Sequence, residues 1–262
     1  GVAARPLVVL DEAAQATEPA LACALAAVGA EQVVLVGDTR QLPPTVTSVG
    51  LRDSLGVSPM ARLEERGVGE KTLLMQYRMP PALLEHPSAY FYDGLVTSAN
   101  ATTAGEVPPP AGFPWPSSEP LAFVHVGSDN EIAHNFGGRS NPVEADVVVN
   151  IVSDLLAAGD VDAHRIAVIS PYSRQVRLVR ALLSARGIRD VAIGTVDAFQ
   201  GRETGVVVFS AVRSNPLGEL GFLRDPRRLC VAITRARRGL VLVGDRAVLR
   251  TCRHWAAFVS SC

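Results

Sequence analysis

Short apolar runs along the chain alternate with longer segments in which apolar residues recur at the spacing of an α-helix. The short runs are almost continuously apolar, which is typical of strands covered on both faces, as in parallel sheets. Strands that alternate with helices in this way predict an α/β protein built from parallel units. Eight runs are predicted to be strands, at residues 7–10, 32–36, 72–75, 121–126, 166–169, 191–193, 206–210 and 240–243.

Three helices are located by residues at their ends. One is predicted at residues 19–28. A second starts at Asn141, whose side chain can cap the first turn, with Pro142 at the first helical position. A third is predicted at residues 173–186 and ends at Gly187.

A proline-rich stretch at residues 97–120 interrupts the alternation. Proline cannot continue a helix or donate to a sheet ladder, so this stretch is predicted to be an extended surface segment. It would be either a linker between domains or a strap across one of them. Near the end of the chain, residues 253–259 are predicted to pack Trp255 and Phe258 onto the preceding domain.

Composition narrows the class of protein. The 262 residues are 48% hydrophobic and 19% charged, as expected for a globular chain with a substantial core. No apolar stretch reaches the roughly 18 residues that a membrane span needs. The four cysteines form no CxxC pair, which predicts free thiols in a reducing compartment, the cytoplasm or nucleus, and no zinc site. The start lacks Met and lies just before a strand, so we expect a fragment.

The net charge of −1 is unevenly distributed. Residues 1–110 hold 7 basic and 12 acidic residues, and residues 111–262 hold 18 basic and 14 acidic residues. The basic excess is almost entirely arginine, since Lys71 is the sole lysine. An arginine-rich second half is compatible with phosphate contacts, although a compositional bias would give the same excess.

Two carboxylates, Asp11 and Glu12, follow the apolar run 7–10 directly. In a nucleotide-hydrolysing fold, one carboxylate at the end of a buried strand holds Mg²⁺ and the next orients the attacking water. Gln41, in the loop after the second predicted strand, can sense a γ-phosphate, or it is an ordinary surface residue. Arg78 is a candidate arginine finger, or one half of a surface ion pair.

Two later segments add further candidates. Residues 195–203 follow a strand, and residues 227–237 carry Arg228 and Arg235, which are seven positions apart and would share one face of a helix. The motifs DEAAQ, GDTRQLPP, QYRMP, TVDAFQGRE and RRLCVAITRAR occur in this order. Together they resemble the ATPase motor of superfamily 1B helicases, most closely the up-frameshift-like helicases of RNA surveillance.

The resemblance covers residues 7–248 and implies two RecA-like α/β domains of the P-loop NTPase class. The first domain, residues 1–75, would be incomplete, and the second would be residues 76–262. ATP and Mg²⁺ would bind at the cleft between the domains and drive 5′→3′ movement along single-stranded RNA or DNA. We expect a monomer that is not attached to a membrane and has regulatory protein partners.

The same resemblance assigns nucleotide-binding roles to matching positions. Asp11 would hold Mg²⁺, and Glu12 would be the catalytic base. Gln41 would couple the state of the γ-phosphate to domain motion, and Arg78 and Arg235 would reach that phosphate. Four further residues would lie around the nucleotide: Tyr77, Gln200, Gly201 and Glu203. Five residues are implied to touch or lie near the nucleic-acid backbone: Asn141, Pro171, Tyr172, Thr195 and Val196.

The sequence departs from the family pattern in two places. The family's QYRM is usually followed by His-Pro, whereas Pro80 and Pro81 stand here. The Gly-rich loop that cradles phosphates is also missing, because the sole lysine lies in GVGEKT at residues 67–72, where Glu70 replaces the required glycine. The loop would lie upstream of Gly1 or be lost. We therefore expect little or no ATP hydrolysis by this chain alone.

Three functions remain open at this point. The first is the C-terminal part of a helicase motor. The second is a non-catalytic helicase-like module that binds nucleic acid or a protein partner. The third is a metal-dependent nuclease using Asp11 and Glu12, for which the sequence supplies no further ligands at suitable spacing.

Overall fold

The computed structural model describes residues 6–68, 71–99, 108–127 and 129–262. The chain divides into two compact units, Gly1–Thr72 and Leu73–Cys262, called here the first and second units. Both are α/β structures with parallel strand pairs, which confirms the predicted fold class. The predicted domain limits, 1–75 and 76–262, stay a prediction.

The first unit is built around one parallel strand pair. β1 (Leu7–Leu10) pairs in register with β2 (Gln32–Leu35), and α1 (Glu18–Val28) connects the two strands. Thr17 caps α1 by accepting a hydrogen bond from the Ala20 amide. Two further helices follow the pair, α2 (Arg52–Leu55) and α3 (Pro59–Glu65).

The second unit contains a five-stranded parallel sheet with two small strand pairs beside it. The small pairs are β3 (Met75–Gln76) with β4 (Thr97–Ser98), and β6 (Ile132–Ala133) with β7 (Arg139–Ser140). The sheet strands, in spatial order, are β5 (Leu121–His125), β11 (Ala236–Gly244), β10 (Thr204–Ser210), β8 (Ile166–Ser170) and β9 (Ala192–Thr195). The two neighbours of β10 cover its edges, and its residues 206–210 are buried, as its unbroken apolar run predicts.

Helices cover this sheet and close its core. They are α4 (Pro81–Phe91), α5 (Pro142–Ala157), α6 (Ser173–Ala185), α7 (Pro226–Ile233), α8 (Arg246–Leu249) and α9 (Arg253–Ser261). The apolar face of α5, including Val148, Val152 and Leu155, packs in one cluster with sheet residues such as Val208. The helices predicted at 19–28, after Asn141 and at 173–186 are therefore confirmed.

The described residues include part of the proline-rich segment, residues 97–99 and 108–120. Within residues 108–120 it has no helix or strand, and the prediction for residues 100–107 falls outside the described residues. Phe113 and Trp115 pack against the core of the second unit, and the Trp115 indole donates to the Pro110 carbonyl over 2.7 Å. The described part therefore behaves as a strap across the second unit.

Two expectations about secondary structure are wrong. The strand predicted at 72–75 is reduced to β3, because among the described residues its pairing partner is the two-residue β4. Arg228 and Arg235 do not share a helix face, because α7 ends at Ile233. The Thr234 hydroxyl donates to two backbone carbonyls in the last turn of α7. A side-chain donor of this kind competes with the backbone amides that would continue the helix.

The predicted packing of the last element is confirmed. Trp255 and Phe258 on α9 are both buried, and the Trp255 indole donates to the Leu223 carbonyl over 2.7 Å. Within the described ranges, the helices are all too short or too polar to cross a bilayer.

Candidate functional site

The paired carboxylates lie at the carboxyl end of the first unit's strands. The Ala13 amide donates to the Val36 carbonyl over 2.8 Å, which joins the two chain segments just beyond β1 and β2. Asp11 and Glu12 are both exposed there. Glu12 has a φ of 52°, a left-handed conformation that is uncommon for a residue with a side chain and often occurs at functional sites. The Glu12 carboxylate accepts a hydrogen bond from the Gln15 amide group over 2.8 Å.

Gln41 lies in the loop that follows β2. Its side-chain amide donates to Asp38 over 2.7 Å, and the other Asp38 oxygen accepts from the Arg40 amide over 2.9 Å. Gly37 lets this loop approach the segment after β1, because a side chain there would overlap the Ala14 amide nitrogen. Asp38 is not among the predicted site residues, although it belongs to the motif GDTRQLPP and closes the sequence VLVGD, as Asp245 does.

A cluster of ionic residues forms within the second unit around Glu203. The Glu203 carboxylate pairs with Arg78 Nε over 2.6 Å and with Arg237 Nη2 over 2.8 Å. Arg78 Nη1 also donates to the Thr234 carbonyl over 2.9 Å. The hydrogen bond from Arg78, with the charges of Arg78, Arg237 and Arg235, lowers the pKa of Glu203 below its ordinary value. Arg78 and Glu203 are thus brought together as predicted site residues, and Arg237 is an addition that the sequence reasoning missed.

Gln76 fixes the backbone that carries Arg78. Its side-chain oxygen accepts hydrogen bonds from the Arg78 and Met79 amides, each over 2.7 Å. Its side-chain nitrogen donates to the Met79 carbonyl over 2.7 Å. The first residue of the QYRMP motif is therefore a structural clamp for the turn, while the next residue, Tyr77, is largely exposed.

Arg235 is placed differently from an extended arginine finger. Its side chain is 1% exposed, and its guanidinium donates to the Val231 carbonyl over 2.9 Å and to the Thr234 hydroxyl over 2.8 Å. A longer bond of 3.3 Å reaches the Arg202 carbonyl, next to Glu203. These three bonds direct guanidinium donors of Arg235 at two backbone carbonyls and a hydroxyl. Its contact with a phosphate stays a prediction.

Two other residues assigned to the nucleotide lie on the same loop. Gly201 has a φ of 70°, a conformation that favours glycine, and Gln200 precedes it. The Arg202 amide donates to the Phe199 carbonyl over 3.1 Å, so residues 199–202 form a tight turn that leads into Glu203. The positive φ in this turn therefore explains why a glycine occurs at position 201 of the motif.

The residues assigned to nucleic acid fall at one sheet edge but differ in exposure. β8 and β9 are paired so that Ser170 lies opposite Thr195, which places Pro171 and Val196 at the same carboxyl edge. Pro171 and Thr195 are partly exposed. The side chains of Tyr172 and Val196 are buried, so in this conformation they are poorly placed to touch a strand directly.

Asn141 has a structural role. Its side chain is completely buried, its oxygen accepts from the Glu144 amide over 3.0 Å, and its nitrogen donates to the Val212 carbonyl over 3.2 Å. Both ends of the amide are therefore used inside the protein, as expected for a helix cap in the core. A direct contact between Asn141 and nucleic acid stays a prediction, and this burial counts against it.

Asn141 belongs to a buried polar network that the sequence did not indicate. The Glu144 carboxylate is fully buried and accepts hydrogen bonds from the Ser210 hydroxyl over 2.6 Å and from the Val212 amide over 2.8 and 3.0 Å. Gln175 donates to the Ser210 hydroxyl over 3.0 Å. Burial raises the pKa of Glu144 from 4.5 to about 8. The network joins α5 and α6 to the end of β10.

The chain is similar in sequence to known AAA domains and to known helicases. Two sequence models, each described as an AAA domain, match residues 55–247 and residues 3–49. Regulator of nonsense transcripts 1 from Dictyostelium discoideum is 36% identical over 97% of this chain and 20% of its own length. ATP-dependent helicase NAM7 from Saccharomyces cerevisiae is 38% identical over 95% of the chain and 26% of its own length.

Two further similarities complete the comparison. Probable helicase MAGATAMA 3 from Arabidopsis thaliana is 36% identical over 97% of the chain and 32% of its own length. The crystal structure of Arterivirus nonstructural protein 10 (helicase) aligns with this chain at a TM-score of 0.46 and 17% sequence identity. The alignment covers 94% of this chain and 41% of the Arterivirus chain. The chain therefore spans no more than about a third of the curated relatives named here. The AAA-domain match over most of the chain shows that it belongs to the AAA-domain family, among the up-frameshift-like superfamily 1 helicases that its five motifs predict.

Proposed function

We propose that this chain is part of an ATP-dependent helicase motor that moves along single-stranded RNA or DNA. The observation that carries the proposal is the Arg78–Glu203–Arg237 cluster, with Arg78 held on a turn that Gln76 clamps. Positively charged groups held in advance on a fixed backbone are what phosphoryl transfer requires. The names of two relatives, ATP-dependent helicases NAM7 and upf1, support the same activity.

The donor set of the first unit fits magnesium. Mg²⁺ is usually held by one or two carboxylates together with phosphate oxygens and water, and it does not need a protein cage. Asp11 is exposed at the end of β1 and can supply that carboxylate. The described residues contain no cluster of three or more metal-ligating side chains, so a site that depends on substrate phosphates suits this chain better than a closed one. When bound, the metal would neutralise charge on the transferred phosphoryl group.

Glu12 would act as the general base for the attacking water. Its carboxylate is exposed and hydrogen-bonded to Gln15, which orients it, so it can accept a proton from a water held beside it. Arg78 would stabilise charge on phosphate oxygens, and Gln41, held by Asp38, would respond to the γ-phosphate. Arg235 would join them only after leaving its present hydrogen bonds.

The 262 residues contain no GK[ST] phosphate loop. Most phosphoryl-transfer catalysis is positioning, so without that loop the phosphates lack their main support. We therefore propose that the chain by itself hydrolyses little ATP. Robust, Glu12-dependent turnover by the purified chain would contradict this part of the proposal.

The test of the motor function uses the chain together with whatever coding sequence precedes it. ATP hydrolysis stimulated by a single-stranded oligonucleotide is expected, and Glu12→Gln should reduce it by roughly 100-fold or more, because a general base contributes about that factor. Glu65→Gln, an exposed carboxylate on α3, is the matched control and should leave the rate unchanged.

Two outcomes would redirect the proposal. If the extended protein hydrolyses ATP equally well with Glu12→Gln, Glu12 is not the base. If it binds oligonucleotide but shows no hydrolysis with or without that substitution, the non-catalytic nucleic-acid module becomes the better account. The uneven charge of the chain is the observation that favours this second candidate.

A further inference from the structure

The first residues of β11 interrupt its pairing with β10. The register of the pair shifts by one residue between Thr204 and Val206 of β10. Two residues of β11, Arg237 and Arg238, therefore face the single residue Gly205. Such a β-bulge is rare between parallel strands, and bulges often redirect side chains beside functional sites. The two arginines at this bulge are therefore candidates for a role beyond strand pairing.

The bulge directs its two arginines to different parts of the second unit. Arg237 Nη2 lies 2.8 Å from Glu203, within the ionic cluster around that carboxylate. Arg238 Nη2 lies 3.0 Å from Asp160, in the loop after α5, and donates to the Pro108 carbonyl over 3.3 Å. Pro108 belongs to the proline-rich strap. Consecutive residues of one strand thus connect the ionic cluster to the strap.

Asp160 joins the strap to β11 through one carboxylate oxygen. Its Oδ2 accepts from the Ala111 amide of the strap over 3.0 Å and from Arg238 Nη2 over 3.0 Å. The hydrogen bonds from Ala111 and Arg238 lower the pKa of Asp160 below its ordinary value. The carboxylate is therefore ionised at neutral pH, and this charge-assisted contact holds the strap at the bulge.

Packing places the strap at the same point of β11. The Trp115 ring lies against Gly239, where a β-carbon would come within 2.8 Å of the ring. Gly112 of the strap approaches α5 so closely that a β-carbon there would lie 2.4 Å from the Asp154 carbonyl oxygen. Gly239 directly follows Arg238, so apolar and ionic contacts fix the strap at adjacent residues of the strand.

The alternative account is an ordinary surface ion pair between Asp160 and Arg238. Their side chains are 38% and 24% exposed, and exposed ion pairs contribute little to stability. That account leaves one feature unexplained, because Arg238 Nε is buried and has no hydrogen-bond partner among the described residues. An unpaired buried donor costs free energy, so Arg238 does not occupy its own most favourable position. Contacts of the bulge and the strap therefore determine where this guanidinium lies.

We propose that Asp160 and Arg238 are positioning residues, which fix the bulge against the strap and thereby hold Arg237 on Glu203. Neither residue belongs to the five motifs that predict the candidate site. The proposal rests on the proposed function only where it assigns the Glu203 cluster to a nucleotide phosphate.

The test measures the pKa of Glu203 by NMR in the 262-residue chain without any ligand, using glutamate labelled with ¹³C at the side-chain carboxyl. The Glu203→Gln variant assigns the signal. Arg78 and Arg237 both lower this pKa, so Arg237→Gln should raise it and gives the reference size of the effect. Asp160→Asn should also raise it, by less than the reference, because Arg237 is then free to leave Glu203.

The sign of the Asp160→Asn result is decisive. Acting through space alone, removal of a negative charge would lower the pKa of Glu203, because the remaining carboxylate would be easier to ionise. A rise requires that a positive group moves away from Glu203, and Arg237 is the one at the bulge. A pKa that falls or does not change in Asp160→Asn, while Arg237→Gln raises it, would overturn the proposal.

Two further variants separate position from charge. Gly239→Ala changes no charge but displaces the Trp115 ring, so it should raise the pKa of Glu203 as Asp160→Asn does. Asp162→Asn removes an exposed carboxylate from the same loop and is the matched control, which should not raise that pKa. A rise in the control as well would contradict the role of Asp160. Circular dichroism checks that each variant is folded.

The second readout is ATP hydrolysis by the extended protein. Asp160→Asn should raise KM for ATP by about 2- to 30-fold and affect kcat much less. The reason is that Glu203 then pairs with Arg78 alone and competes more strongly with the triphosphate for it.

Failure of this proposal differs from failure of the proposed function. If the pKa of Glu203 rises as expected and the extended protein hydrolyses no ATP, the positioning role stands and the proposed function is contradicted. If the protein hydrolyses ATP and neither the pKa nor KM changes in Asp160→Asn, the positioning role is refuted and the proposed function is untouched.

Discussion

Replacing Glu144 by glutamine should remove a pH dependence from the stability of the second unit. Burial raises the pKa of Glu144 from 4.5 to about 8, and the Asp245 carboxylate adds to the same effect. Between these two pH values the folded protein binds one proton more than the unfolded chain. The stabilising contribution of that proton is complete below about pH 4.5 and is lost as the pH rises through about 8.

The magnitude follows from the size of the shift. One pKa unit corresponds to about 1.4 kcal/mol, so a shift from 4.5 to about 8 corresponds to roughly 5 kcal/mol of unfolding free energy. Glutamine has nearly the same shape, and its oxygen can still accept from the Ser210 hydroxyl and the Val212 amide. The variant should therefore fold, and it carries no titrating group at this position.

The assay is urea unfolding followed by tryptophan fluorescence at several pH values. Both tryptophans, Trp115 and Trp255, lie in the second unit, so the signal reports on that unit. The unfolding free energy of the unmodified chain minus that of Glu144→Gln should fall by about 4 kcal/mol between pH 4.5 and 8, the two pKa values at which the change is half complete at each end. Subtraction cancels contributions from groups that both proteins share, such as His86.

Glu85→Gln removes an exposed carboxylate from α4 and provides the matched control for the loss of one carboxylate from the second unit. A difference for Glu144→Gln that stays constant, or rises with pH, would refute the reasoning. It would mean that the three hydrogen bonds to Glu144 hold the carboxylate charged despite its burial.

Two further predictions concern the packing of the second unit. Trp255→Ala should lower the unfolding free energy by roughly 3 to 5 kcal/mol, because it empties a buried site and leaves the Leu223 carbonyl unpaired. Urea unfolding followed by circular dichroism measures this free energy. A loss below about 1 kcal/mol would contradict the prediction. Gly112→Ala should cost more than Gly159→Ala, although both glycines have a positive φ, because only at Gly112 would the added carbon overlap a carbonyl oxygen, that of Asp154. The Gly159 variant should lose about 1 to 2 kcal/mol from backbone strain, and equal losses at both sites would contradict the role of the overlap.

Much of the fold can be predicted because local sequence and environment agree. The buried strands of the five-stranded sheet are continuous apolar runs, and Asn141 followed by Pro142 starts α5 where the capping preference predicts it. The strand predicted at 72–75 failed because an isolated apolar run cannot show whether a partner strand of equal length exists. Strand pairing depends on residues far away in sequence.

The candidate site was predictable in type but less so in geometry. The motifs singled out Arg78 and Glu203 separately, and the structure shows that the two side chains form an ion pair. They did not predict that Arg235 would donate to its own helix end, because a guanidinium chooses among acceptors that only the folded chain places within reach.

The double pairing of Glu203 determines how the second unit can respond to an anion. Any phosphate that approaches Arg78 has to compete with a carboxylate already bound to it, so binding there is an exchange of one anion for another. Such an exchange yields little net attraction by itself, but it releases Glu203 to Arg237 alone. An anion that displaces Glu203 from Arg78 would thus change the ion pairs of the cluster. We expect the cluster to contribute more to discrimination between anions than to affinity for them.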